Sequence, residues 1–374
     1  MADYAQFQAS AYAIDLRETM SLTSVEISAI LFAPYVPAIL LGLPFGALGD
    51  KFGAKWIVGC CFAVTVVACC LRSLCSSFLP LFLASVAIGI GPSSLNSNLV
   101  KIFGYWFADR TDFAMGCYYA CGSGGIATVL ATAFLFPDMT YAYFVAGAAI
   151  ALLLVAWVGV MKDSPSDVDS ADGVQTMQSI VAVVKCGPLW VIAVLLGLGL
   201  AGTTAFSGYL MPAFEYTVDA GRAGFLASAF TWGSIVGCVG GPLLRGLFNS
   251  YKICTGLLTT LGSIALAATC LTVRNPSVAL IFLSGALTAA SGPVFQGLPY
   301  MLREVHGRYE GGAGGLVSTE SLALTYALPI SVSAVCGDDF IALLCASAAF
   351  VPLTLIFIAL LPAPGDLVDD AEGK

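Results

Sequence analysis

Eleven stretches of this 374-residue chain run for about twenty residues or longer with no more than one charge each. They are 27–48, 56–76, 78–100, 113–136, 140–161, 186–214, 223–244, 253–273, 276–302, 311–335 and 340–361, and Arg72 and Glu320 are the only charges inside them. A helix needs ~20 consecutive apolar residues to cross a ~30 Å hydrocarbon core, and in lipid every backbone N–H and C=O must be paired within the chain. The pattern therefore predicts a polytopic, all-α membrane protein whose solvent is the lipid bilayer. Composition agrees: 59% hydrophobic and 10% charged residues lie far from the roughly one-quarter charged content that covers a soluble domain. Most connections are short, so each helix is expected antiparallel to the next.

Residues 1–16 form a shorter apolar segment. From Tyr4 to Leu16, at ~1.5 Å per residue, it reaches only ~20 Å. No basic n-region or small-residue cleavage site marks it as a signal peptide. The expectation is a first helix only partly present in this chain, completed by upstream residues, giving eleven full spans plus a partial one. Lys and Arg counts in the short loops set the orientation. With residues 49–55 in the cytoplasm, nine basic residues share that side (Lys51, Lys55, Arg110, Lys162, Lys185, Arg245, Lys252, Arg303, Arg308) and four lie opposite (Arg17, Arg72, Arg222, Arg274). With the first helix completed, both termini of this multi-pass cell-membrane protein would be cytoplasmic.

Lys162 to Ser179 is rich in Asp, Ser and Gly, and the linker 162–185 is expected to separate an N-terminal half at 1–161 from a C-terminal half at 186–362. An acidic cytoplasmic tail follows at 363–374. A weak repeat relates the halves: Gly91-Pro92, Lys101 and Ala114-Met115-Gly116 find echoes in Gly292-Pro293, Arg303 and Ala313-Gly314-Gly315. Two related six-helix halves suit a protein that rocks around a central site.

The net charge of −8 and the lack of a clustered basic face argue against nucleic-acid binding. Thirteen cysteines occur without a Cys-x-x-Cys pair, and His306 is the only histidine, so neither a metal site nor a cofactor is expected. No HExxH, no Ser-His pairing and no acid cluster at a span end points to an enzyme. Nothing signals an oligomer, and a monomer is the default.

Between the second and third helices the chain reads Gly46-Ala-Leu-Gly49-Asp50-Lys51-Phe-Gly53-Ala-Lys55. This resembles the loop signature of the major facilitator superfamily, Gly-x-Leu-x-Asp-Arg-x-Gly-Arg-Arg, at the position where that family has it. Gly104-Tyr-Trp-Phe-Ala-Asp109-Arg110 followed by Ala114-Met115-Gly116 is similar to the loop after the fourth helix of many facilitators. The resemblance implies a bundle of two six-helix halves and a secondary active transporter, with Gly46, Gly49, Asp50, Lys51, Gly53 and Lys55 acting as a conformational latch. It has gaps. Leu83-Ala84-Ser85 stands where many facilitators carry an arginine in the fourth helix, and the second-half loop from Gly241 to Lys252 lacks the acid. Nitrate porters share the topology, but their Gly-rich Asn signature and second-helix arginine are missing.

Polar groups inside spans are expensive and are functional candidates by default. Ser94, Asn98 and Lys101 share a face of the fourth helix with Asn96 nearby, and Tyr4, Gln8 and Tyr12 recur every four residues along the first. Family resemblance places substrate among helices one, four, seven and ten, which adds Thr204, Gln296 and Tyr300. Lys101 tilts the expected solute toward a small organic or inorganic anion. Two acids are candidates for coupling to a proton or sodium ion: Glu320, about ten residues into its span, where an unpaired ionised acid costs at least ~2.5 kcal/mol, and Asp3. The alternative is a solute sensor that kept the transporter fold.

Overall fold

A computed structural model describes residues 2–107, 111–162, 183–245, 248, 250–302 and 310–361. Its elements are helices: α1 (Ala2–Ala11), α2 (Ala13–Met20), α3 (Ser24–Phe32), α4 (Val36–Phe52), α5 (Ala54–Arg72), α6 (Phe78–Ile88), α7 (Ile90–Trp106), α8 (Thr111–Thr132) and α9 (Met139–Val160) before the linker. After it come α10 (Gly187–Glu215), α11 (Ala220–Arg245), α12 (Tyr251–Leu271), α13 (Val278–Ala290), α14 (Gly292–Met301), α15 (Glu310–Cys336), α16 (Phe340–Ala348) and α17 (Phe350–Leu360). Among the described residues eleven helical spans are long and apolar enough to cross a membrane, and each coincides with one of the eleven sequence stretches. Leu152, Val155, Leu243 and Leu271 stand exposed on outer faces, where lipid rather than water is the neighbour such side chains suit. The acidic tail and most of the linker lie outside the described residues.

Several spans are broken, and the breaks have local causes. Pro34 opens a short 3-10 turn between α3 and α4, because proline lacks the N–H that would continue the α-helical ladder. Between α6 and α7 the chain kinks at Gly89, where a Cβ would fall on the Pro34 carbonyl. Thr65 of α5 satisfies both sides of that kink with one hydroxyl: it donates to the Ile88 carbonyl at 3.0 Å and accepts from the Gly91 N–H at 3.1 Å. A second kink, at Ser291 between α13 and α14, precedes Pro293 as the first precedes Pro92.

Glycine sets the closest helix contacts. Along α11, Gly233, Gly237 and Gly241 recur every four residues, and a Cβ on any of them would land on the carbonyl oxygens of Phe282, Ala286 and Ala290 of the α13 span. Gly285 of α13 returns the contact against Phe230. Small residues at such spacing let helix backbones approach closely in lipid, where burial of apolar surface gives no driving force between helices. At the corresponding place earlier in the chain, Gly49 of α4 receives the Asn98 side chain of α7.

Three residues of the family-like loop acquire structural reasons. Gly53 is the single residue between α4 and α5 and sits at φ 86°, a backbone region costly for residues with a Cβ. Lys51 and Lys55 lie over the rings of Phe52 and Trp56, at 5.2 and 5.5 Å. The side chain of Asp50 lies outside the described residues. Arg72, counted above with the loop cations, is instead only 2% exposed. Its Nη1 donates to the Ala5 carbonyl at 2.7 Å and its guanidinium stacks 4.4 Å from the centre of the Tyr143 ring. A loop count could not anticipate this, since a planar, weakly hydrated cation can be held by a carbonyl and an aromatic face.

Candidate functional site

The α1 helix presents two polar faces, and they have different employment. Tyr4, Gln8 and Tyr12 are buried. Gln8 Nε2 donates to the Ala142 carbonyl of α9 at 2.7 Å and the Tyr12 hydroxyl donates to the Ala133 carbonyl after α8 at 2.9 Å. Their polar atoms thus tie α1 to neighbours within the first set of helices. On the other side, Gln6 Nε2 donates to the Leu31 carbonyl at 3.2 Å and Ser10 bonds the Gly208 carbonyl of α10.

Asp3 lies deep in the bundle yet keeps some accessible surface. Its carboxylate approaches Gly122 of α8. It also acts electrostatically on the hydroxyls of Tyr35 and Tyr118. Tyr35 in turn interacts with the side chains of Gln6 and Thr204, and Tyr118 donates to Asn96 Oδ1 of α7. The sequence candidates Asp3, Asn96 and Thr204 therefore lie in one polar region of the bundle, with Gln6, Tyr35 and Tyr118, which sequence reasoning missed, between them. A signal for Gln6 existed, because it sits three residues from Asp3 on the same face. For Tyr35 and Tyr118 there was none.

Thr204 also lines a cavity of about 190 Å³ bounded mainly by α10, α11 and the α13–α14 span, with Tyr119 and Ser123 of α8 closing one side. Gln296 lines it too. Asn98 is placed elsewhere, fully buried with Nδ2 bonded to the Phe45 and Ser94 carbonyls at 3.2 and 2.8 Å. Glu320 is half-buried in α15, one helical turn from Leu324, which packs on Gly197 of α10. The side chains of Lys101 and Tyr300 lie outside the described residues.

One end of the bundle is sealed between the two sets of helices. Arg17 of α2 pairs with Asp338 at 3.0 Å and lies over the Phe340 ring at 5.7 Å. The Ser24 N–H donates to Asp338 Oδ1 at 2.9 Å. Beneath this clasp three buried hydroxyls converge, Ser28 with Tyr209 at 2.7 Å and with Ser333 at 2.6 Å.

The Asp338 carboxyl is held below the usual carboxylate range, chiefly by the Ser24 N–H and then by Arg17. A depressed acid stabilises the clasp above its ordinary pKa and loses that contribution only as pH falls through the lowered value. The clasp is therefore expected to persist from pH 8 down to about 4. Asp338→Asn should loosen it modestly, an exposed ion pair being worth at most ~1 kcal/mol. Alkylation of nearby Cys336 measures the effect: a several-fold faster rate is expected in the variant, and an unchanged rate would show that the hydroxyls alone hold the end shut.

Comparison with known proteins places this geometry. A family profile described as the Major Facilitator Superfamily matches residues 2–328. Solved structures with similar folds include the nucleoside transporter NupG, with a TM-score of 0.70 and 14% identity over 97% of this chain and 98% of that one. The E. coli fucose:proton symporter FucP aligns with a TM-score of 0.63 and 13% identity over the same shares. Among curated proteins, "Probable nitrate transporter NarT" of Staphylococcus carnosus is 29% identical over 124 residues, which is 33% of this chain and 31% of the relative. The protein of that name from Staphylococcus haemolyticus is 27% identical over 114 residues, or 30% and 29%. The chain thus matches about three-tenths of the length of these curated relatives. With a family match across nearly its whole length and a helical bundle that aligns end to end with transporters of that family, the chain belongs to the Major Facilitator Superfamily.

Proposed function

We propose that this membrane protein is a coupled transporter that moves a small solute by alternating access, with Asp3 as the group that binds and releases the coupling proton. The observation that carries this reading is the Asp3 cluster. There an acid inside the bundle lies beside α8 and near Tyr35, whose hydroxyl interacts with Thr204 from beyond the linker, and Thr204 lines a cavity of solute size. Among the described side chains no Lys or Arg forms an ion pair with Asp3. A carboxyl whose ionisation alters contacts with both sets of helices is a means of biasing one conformation over another.

In this reading the helices before and after the linker form the two halves of the transporter, with α1 and α2 in the first. Lys and Arg asymmetry puts the linker side in the cytoplasm, so the sealed Arg17 end faces outward. The protein would act as a monomer. Flux of a solute panel covering nitrate, carboxylates, amino acids and sugars into proteoliposomes, with and without an inward pH gradient, tests the proposal. Saturable uptake raised by the gradient is expected. Binding without flux would make the protein a sensor.

The latch between α4 and α5 supports a further expectation. Asp50→Asn should slow exchange while leaving solute affinity unchanged, because the loop lies far along α4 from the Asp3 cluster and gates conformational change rather than binding. Equal flux at equal membrane abundance would separate the family-like motif from any mechanical role here.

A further inference from the structure

The donors and acceptors around the cavity narrow what it can hold, and the inference drawn from them rests on the transport reading above. Its lining is rich in hydroxyls, but most have their protons committed. Thr203 donates to the Gly199 carbonyl at 2.8 Å, Thr231 to Ser228 at 2.9 Å, Ser234 to Phe230 at 3.0 Å, Thr288 to Ser284 at 2.7 Å and Thr354 to Val351 at 2.6 Å. A hydroxyl has one proton and two lone pairs, so these residues can offer the cavity only acceptors. Ser207 and Thr259 hydroxyls are buried without a hydrogen-bond partner among the described residues. These two, the hydroxyls of Tyr119, Ser123 and Thr204 and the Gln296 amide are the side-chain donors among the described lining residues. No Lys, Arg, Asp or Glu occurs among the described lining residues.

We propose that this cavity takes a small, uncharged, hydroxyl-rich solute of the polyol or small-sugar class. An inorganic or carboxylate anion brings only acceptors to a wall in which many hydroxyls offer acceptors alone, and it brings a charge that no described lining residue neutralises. An ammonium matches the acceptors but again buries an uncompensated charge. Each hydroxyl of a polyol instead gives a donor to one wall group and accepts from another, and can partner Ser207 and Thr259. The volume of about 190 Å³ is below the ~300–1,000 Å³ of drug-sized sites, which favours a four- or five-carbon solute. The anion expected from Lys101, whose side chain lies outside the described residues, is the competing class in the test.

The purified full chain in proteoliposomes is offered radiolabelled xylitol, nitrate or ethanolamine. In parallel, alkylation of Cys238, which lines the cavity, is followed by mass spectrometry with each probe present. Saturable xylitol uptake and xylitol protection of Cys238 are expected, with neither for nitrate or ethanolamine. Thr231→Val and Gln296→Leu, measured independently in case one misfolds, should each weaken protection about fivefold, the value of one hydrogen bond. Protection by nitrate or ethanolamine in place of xylitol overturns the solute class while leaving transport intact. Protection by xylitol without uptake upholds the solute class and overturns the transport reading. If no probe protects Cys238, the assignment of this cavity as the solute site fails.

Discussion

Gly237→Leu is expected to abolish the folded protein or lower its melting temperature by many degrees, whereas Gly240→Leu on the same helix should melt like the parent. A Cβ at Gly237 falls on the Ala286 carbonyl, while one at Gly240 meets nothing within 4 Å. Leucine is the better helix former of the two residues, so propensity predicts stabilisation at both sites and only packing separates them. Overpacking a well-fitted contact costs roughly 1–3 kcal/mol, and more when the obstacle is backbone that cannot rotate away. The cost also propagates, since Gly233 and Gly241 flank the site along the same seam, and prying α11 from α13 distorts the cavity both helices line. Thermal unfolding in detergent, followed by size-exclusion chromatography, reads the difference. Similar melting of the two variants would mean that the glycine seam does not hold these helices together.

For Asp3→Asn, gradient-driven accumulation should disappear while downhill exchange of the same solute survives. Asparagine preserves size and hydrogen bonding but cannot take up or release a proton in the physiological range. With one proton per solute, a gradient of about one pH unit supports about tenfold accumulation, equivalent to about 1.4 kcal/mol. The variant should therefore equilibrate where the parent concentrates, and a trapped pH dye should record no proton entry with solute. Glu320→Gln is the comparator: half-buried in α15 and apart from the cluster, it is expected to keep accumulation. Uphill uptake lost in Glu320→Gln and retained in Asp3→Asn would move the coupling role to α15.

The spans were legible because lipid imposes one demand on the whole backbone, and a run such as 140–161 can satisfy it in only one way. Fine structure was less so. The kink at Gly89 is announced by Pro92, but its repair by Thr65 depends on which hydroxyl α5 happens to bring alongside. Within the cluster, Asp3, Asn96 and Thr204 were readable as polar residues in apolar runs. Tyr35 and Tyr118 were not, since tyrosine in a membrane helix is ordinary and their relevance comes from which neighbours the packing brings beside them. Gln8 and Tyr12 show the converse: regular spacing marks a helix face, yet does not say whether that face meets a cavity or a neighbour. Arg72 was misplaced for a related reason, as a charge at a helix end reads as a loop residue until its carbonyl and aromatic partners are known.

The seal of Ser28, Tyr209 and Ser333 contains no formal charge. Opening it therefore moves nothing through the transmembrane electric field, whereas one elementary charge crossing 100 mV exchanges about 2.3 kcal/mol. Arg17 and Asp338 carry opposite charges and sit at the rim of that end of the bundle, so their separation adds little. The voltage sensitivity of the cycle is then set by its cargo. With an uncharged solute and one proton, transport should be electrogenic, carrying a single positive charge inward per turnover, and a negative-inside membrane potential should drive it as effectively as a pH gradient of equal free energy.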